Sequence, residues 1–280
     1  RKVLPIDYIG LVLLVVWVGC LQIILDIGRN RDWFGDPLIV VLAITSAIAF
    51  LIFVVWELTE DHPVVDLRVL RHRGLSVALA VLAISFGAYF ASFVIVPQWQ
   101  QAWLGFTATQ AGYSSSFTAI AGLLTAPIVV ILMPRFDPRL LVSAGIVWLA
   151  LIGLTRTFWT TDSDFWTLSA PQFLQGLGMT LFMLPIINLT LNTVDEHEVA
   201  SAAGLQSFMR TIATAFATSV SLTYWGDTQR AARNDIAGVL QPDAEGGAIA
   251  GLGFSPEAAL QMLGNMAELE ATTLAVLHVF

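Results

Sequence analysis

Gln172 and Gln175 stand three residues apart in an otherwise apolar run, so their amides project from one helix face, where they can orient a polar group. Arg210 lies well inside a second run of apolar and small residues. A cation at that depth costs roughly 2.5–3.5 kcal/mol on the insertion scale, so it belongs to a bundle interior or a wet cavity and not to a lipid-facing surface. Gly176 and Gly178 allow close approach of a neighbouring backbone. Pro185 removes a backbone donor and invites a bend. Met179, Phe182 and Met183 add deformable apolar surface. Upstream, Phe86, Tyr89, Phe90 and Phe93 recur at helical spacing and are followed by Gln98, Gln100 and Gln101. Aromatic rings with a few amides suit flat, lipophilic, variable small molecules; the same stripes also suit plain helix packing.

No enzymatic chemistry competes with this pattern. His62, His72, His197 and His278 are scattered without metal-ligand spacing, so no metal site is expected. There is no phosphate-cradling glycine loop. Ser114, Ser115 and Ser116 have no His and Asp grouped with them and read as helix-packing surface. Lys2, the only lysine, lies in a loop, which excludes a retinal Schiff base within a span. We therefore expect no catalytic residue and no bound cofactor. Nucleic acid is an unsuitable partner, since the net charge is −8 and there is no basic stripe.

The elements that must carry these residues are membrane helices. The chain is 56% hydrophobic and 12% charged, about half the charged fraction of an ordinary soluble domain. Its apolar blocks approach the ~20 residues needed to cross a bilayer. The sequence predicts an all-α polytopic protein with seven spans, 7–25, 38–57, 75–97, 109–133, 140–158, 165–191 and 200–225. A further apolar run, 271–280, looks like the approach to another span. The chain begins at Arg1, with charges that fit a loop, so a fragment of a longer protein is expected, lacking an N-terminal portion and a C-terminal tail.

Arg1, Lys2, Arg68, Arg71, Arg73, Arg135 and Arg139 fall on one side, and Arg29, Arg31 and Arg156 in the short loops of the other. The first side is therefore expected to be cytoplasmic, including residues 1–6 and 58–74, with 226–270 outside. Residues 1–57 read as a tight two-helix hairpin, and 58–74 as a short interfacial helix with Val64, Leu67 and Leu70 down. Residues 75–225 form a five-span domain, and 226–270 a long outer loop that is either a docking surface or a tether. Within that loop Ser255, Pro256 and Glu257 resemble a helix start. Between two spans, Arg135, Asp137 and Arg139 read as a positive-inside loop, or as a latch in which a carboxylate between guanidiniums staples helix ends.

In this order, LQIILDIGRNRDWF, VVWELTEDHPVVDLRVLRHRG, LQGLGMTLFMLP and ASAAGLQSFMRTIATAFATSV give the chain a resemblance over almost its whole length. It resembles the fourteen-span drug:proton antiporter branch of the major facilitator superfamily, and more narrowly the EmrB-type exporters of Gram-negative inner membranes. The resemblance implies a partial major-facilitator helical bundle, about seven spans of fourteen, in which 75–97 and 165–191 line a central cavity. It implies export of lipophilic small molecules coupled to protons, and contact of the outer segment with a periplasmic adaptor leading to an outer-membrane channel. The resemblance strengthens Phe86, Phe90, Phe93, Gln175, Met179 and Phe182 as substrate surface, to which the residue pattern adds Tyr89 and Gln172; Arg210, Arg135, Asp137, Arg139 and Pro185 are expected to gate or brace it. Two departures stand out: TIATAFATS replaces paired glycines after Arg210, and MPRFDPR lacks glycines flanking Asp137. Alternatives are an exporter dedicated to one metabolite or siderophore, and a non-transporting membrane scaffold.

Overall fold

The computed structural model describes residues 7–31, 33–60, 63–160, 163–195, 198–239 and 256–279. Eight α-helices carry these residues: α1 (Tyr8–Ile27), α2 (Pro37–Thr59), α3 (Arg73–Ala102), α4 (Ala108–Leu132), α5 (Pro138–Arg156), α6 (Phe165–Leu191), α7 (Val199–Val239) and α8 (Pro256–Val279). Short 3-10 turns at Gly28–Arg31, Trp33–Gly35 and Leu67–Arg71 make connections, and no strand occurs among the described residues.

Local sequence explains where several helices start. Asp7 accepts a hydrogen bond from the Gly10 N–H at 2.9 Å and opens α1. Asp36 accepts from Leu38 N–H at 2.8 Å, with Pro37 at the first helical position of α2. Asp137 repeats the device for α5, accepting from Arg139 N–H at 2.9 Å ahead of Pro138. Each carboxylate satisfies an orphan donor, and each proline lacks the donor that would otherwise go unpaired.

Six of the expected spans, α1 to α6, are helices long and apolar enough to cross a bilayer. The seventh, 200–225, is helical but lies inside the 41-residue α7 and is not among the six. Its Ser, Thr and Gln residues and Arg210 dilute the hydropathy that a lipid-facing helix would need. Burial separates the six: α3 and α6 bury 44% and 39% of their spans, α1 only 17%. The helices carrying the aromatic stripe and the paired glutamines are therefore the interior ones. Leu123, 77% exposed, and Ile84, 75% exposed, are apolar surface of the kind that lipid covers.

The chain divides into two compact units, each taken by itself. The first comprises Arg1–Phe90, Met133–Val142 and Met183–Ser219. In it α1 lies along α2 as the expected hairpin. Trp17, Phe53, Val65, Val69, Leu75, Leu79 and Leu205 close a core there. The second comprises Ala91–Leu132, Ser143–Phe182 and Val220–Phe280, with Ile95, Trp99, Trp159, Leu168, Trp225 and Val276 in its core.

Two expectations about connections are corrected. The stretch expected as a long outer loop is helical up to Val239 and again from Pro256, the predicted first-position proline. Ala231 and Ala232 favour helix there, and an Asp227–Arg230 pair at 3.1 Å fits helical spacing. Residues 240–255 lie outside the described residues. The connector 58–74 forms only a five-residue 3-10 turn, capped by Asp66. Its Val65 and Val69 enter the protein core, while Val64 and Leu70 stay exposed and Leu67 is half-buried against that core.

Candidate functional site

In the second unit, α4 places Ser114 between α3 and α6. Its hydroxyl oxygen receives Gln100 Nε2 and Gln172 Nε2, each at 3.2 Å, and lies 3.2 Å from Ser169 Oγ. Ser114 Oγ is thus the common acceptor for Gln100, Gln172 and the Ser169 hydroxyl. Thr118 Oγ1 donates to the Gln172 carbonyl oxygen at 3.0 Å. Gln100, Ser114, Ser169, Gln172 and Thr118 are all buried, so their mutual bonds replace what water cannot supply. Gln100 Oε1 is buried without a hydrogen-bond partner.

Gln175 turns to a different neighbour. Its amide oxygen accepts from the Arg156 guanidinium, and Arg156 is only 2% exposed. The guanidinium carbon stands 5.4 Å above the Trp159 ring. Trp159 in turn stacks on Trp99, with centroids 5.7 Å apart and planes 6° apart. Arg156 was expected in a loop; it is the last residue of α5 and is buried. The loop expectation fails because the chain turns beyond the helix end and brings Trp159 back against Arg156, with Trp159 N–H bonded to the Arg156 carbonyl at 3.0 Å.

The glycines do what their positions suggested. A Cβ on Gly176 would collide with the Thr118 carbonyl oxygen and stand 2.8 Å from Ala121 Cβ, so α4 and α6 touch backbone to backbone. Gly178 admits Trp148, whose indole N–H donates to the Leu174 carbonyl at 2.8 Å. Phe182 is fully buried, and Phe93 and Met179 are half-buried.

The first unit holds the rest of the predicted surface. Phe86 and Phe90 lie 4.5 Å apart, and Tyr89 meets Phe90 edge-on at 5.3 Å. The Arg210 guanidinium carbon stands 5.4 Å over Phe86, close enough for cation–π attraction. Arg210 Nε is buried without a hydrogen-bond partner. Pro185 is buried inside the unbroken α6. Arg135, Asp137 and Arg139 are exposed, and Asp137 serves as the cap of α5. The connector is tied instead by Glu198, which accepts from Arg71 at 2.8 Å and lies 2.9 Å from the His72 ring nitrogen. Burial alone would raise the Glu198 carboxyl; the His72 hydrogen bond and the charges of Arg71 and His72 outweigh it and hold the carboxyl below its usual range.

A family model described as Major Facilitator Superfamily matches residues 30–218, well over half of the chain. The chain belongs to that superfamily of transporters. With six apolar helices among its described residues it is a multi-pass inner-membrane protein. Similar proteins include the multidrug export protein EmrB of Haemophilus influenzae, 36% identical over 79% of this chain and 44% of that protein. EmrB of Escherichia coli K12 is 34% identical over 79% of the chain and 43% of its own length. The fatty acid resistance protein FarB of Neisseria gonorrhoeae is 34% identical over 79% of the chain and 44% of its own. The chain thus spans less than half the length of these relatives.

Within the superfamily fold, the structure joins Phe86, Tyr89 and Phe90 to Arg210 in one unit, and links Gln172 and Gln175 to polar partners in the other. The sequence alone missed Arg156 as a buried group, Ser114 as a hydrogen-bond hub and Gln100 as its partner. The signal for Arg156 was present, since the Trp159 that covers it follows at once. The hub had no local signal, because its members lie on three helices.

Proposed function

We propose that the chain is part of a secondary exporter that moves lipophilic drugs and other toxic compounds out across the bacterial inner membrane by proton antiport. The observation that carries this reading is the concentration of buried amides, hydroxyls and a guanidinium on apolar spanning helices, beside stacked aromatic rings. Such groups are expensive in a bilayer and are typical of a substrate pathway. In the first unit Phe86, Tyr89 and Phe90 would offer substrate-packing surface; in the second Phe93, Met179 and Phe182 would do so, with Gln172 and Gln175 as orienting amides. Pro185 and Arg210 would brace the moving helices, with Arg135, Asp137 and Arg139 at an inner gate.

In the same proposal, residues 1–6 and 58–74 face the cytoplasm and 226–270 the periplasm, where that segment would meet an adaptor protein joined to an outer-membrane channel. Proton coupling needs no resident cofactor. The relatives named for multidrug export support the substrate class.

The test is loss of a lipophilic fluorescent dye from efflux-deficient cells expressing the complete gene. Export that collapses with a protonophore supports the proposal, and Gln175→Ala should then slow it several-fold. Folded protein with no dye export would reject it.

A second reading has its own support. Arg210 holds a buried, unpartnered Nε over an aromatic ring, an arrangement that suits an amphiphilic anion, and one relative is named for fatty acid resistance. Protection against long-chain fatty acids without dye export would favour that dedicated exporter.

A further inference from the structure

The hairpin of the first unit contains an arrangement that the transport proposal does not use. Glu57, near the end of α2, is 0% exposed. Its Oε2 accepts from the Val65 N–H at 3.1 Å, tying the connector to α2. Its Oε1 is buried and has no hydrogen-bond partner. That oxygen faces another acid: a Cβ on Gly10 would collide with Asp7 Oδ2 and stand 2.8 Å from Glu57 Oε1, so both carboxyl groups border the space that Gly10 leaves empty.

We propose that Asp7 and Glu57 form a proton-binding site, with the proton on the buried Glu57 and the half-buried Asp7 beside it. Donor accounting assigns the roles. Asp7 is supplied with donors: Gly10 N–H at 2.9 Å and Trp56 Nε1–H at 3.2 and 3.0 Å to its two oxygens. Those bonds satisfy both of its oxygens. The backbone donors that reach Glu57 come from the connector, with Val65 N–H on Oε2, while Oε1 has no hydrogen-bond partner. A bare carboxylate oxygen removed from water is costly. Protonation turns Oε1 from an unsatisfied acceptor into a donor and places no second negative charge next to Asp7.

Among the described residues, the charged groups near the pair are engaged elsewhere. On the connector, Asp66 accepts from Arg68 N–H at 3.0 Å. The Arg68 guanidinium is directed to the Leu58 and Glu60 carbonyl oxygens at 3.0 and 3.1 Å. Arg71 and His72 are engaged with Glu198 at the start of α7. Among the described residues no ion pair reaches Asp7 or Glu57; Arg1 and Lys2 lie outside them. The bound proton therefore holds together the start of α1, the end of α2 and the connector at Val65.

Infrared difference spectroscopy on the full-length protein in lipid nanodiscs at neutral pH tests this. Wild type minus Glu57→Gln should contain the carbonyl band of a protonated carboxylic acid; an ionised carboxylate band in its place overturns the proposal. Asp7→Asn provides the check should Glu57→Gln fail to assemble. It should remove a carboxylate band and shift the protonated band of Glu57, whose neighbour has changed. Loss of a protonated band with Asp7→Asn would place the proton on the wrong residue and overturn the assignment.

Discussion

Arg156 and Arg210 are both arginines against aromatic rings, each with its guanidinium carbon 5.4 Å from a ring centroid. Their surroundings differ. Arg156 donates to the Gln175 amide, is 2% exposed, and leans on a Trp159 that is itself stacked on Trp99. Arg210 is half-buried and stands over Phe86. A fully buried cation held by an amide oxygen is part of the framework; a half-buried one over a ring stands nearer to something that arrives or moves. The same chemical group, placed in two units of one chain, is thus assigned opposite tasks by its neighbours.

Replacing each arginine by methionine should separate those tasks. Arg156→Met strands the Gln175 oxygen in a buried site, and a hydrogen bond to a charged group is worth about 1.5–3 kcal/mol. We expect the largest fall in melting temperature of any single change here. Arg156→Lys should recover only part of it, because an ammonium cannot lie flat on Trp159. Arg210→Met forfeits a cation–π contact of about 0.5–2 kcal/mol but strands no partner. Its melting temperature should move less while transport falls at least tenfold. Equal losses of stability in the two variants, read from thermal unfolding in detergent, would erase the distinction.

A second pair of substitutions asks whether the units are equally tight. Gly176→Ala drives a methyl group into the α4 backbone at Thr118, and overpacking of this kind costs about 1–3 kcal/mol. Gly87→Ala meets the Ala213 carbonyl oxygen and Ala217 Cβ, each at 3.0 Å, which a small shift of α7 relieves. The Gly176 variant should therefore unfold at the lower temperature. The reverse order would mean that α3 and α7 are the more rigidly held pair.

These residues also mark what could be read from sequence. The spans of α2, α3 and α6 were legible because hydrophobic length is a local property. Arg210 was legible as a cation with apolar residues on both sides. Gln172 and Gln175 were legible as membrane-embedded amides, but their partners were not: Ser114 and Arg156 come from other helices, and helix spacing says nothing about which neighbour lies opposite. Arg156 was misplaced because charge at the end of a hydrophobic run is the ordinary mark of a loop. The helical continuation of α7 to Val239 escaped notice for a related reason, since mixed charges read as solvent-exposed chain whether or not they are helical.

The smallest effect tests the comparison by pH. The hydrogen-bonded groups of the second unit, Gln100, Ser114, Ser169, Gln172 and Gln175, are neutral, so acid should leave their contacts intact. In the first unit Glu198 holds Arg71 and His72, with its carboxyl below the ordinary value of 4.5. A group whose value is depressed by folding stabilises the fold at pH above its unfolded value. That contribution is constant from neutrality down to about 4.5 and is then lost as pH falls through the folded value. Wild type should therefore melt slightly above Glu198→Gln at neutral pH, and the two curves should converge only below that point. Convergence already near neutrality would mean that Glu198 does not hold the connector. An acid-sensitive difference between wild type and Gln172→Leu would show that the second unit also depends on a titrating group.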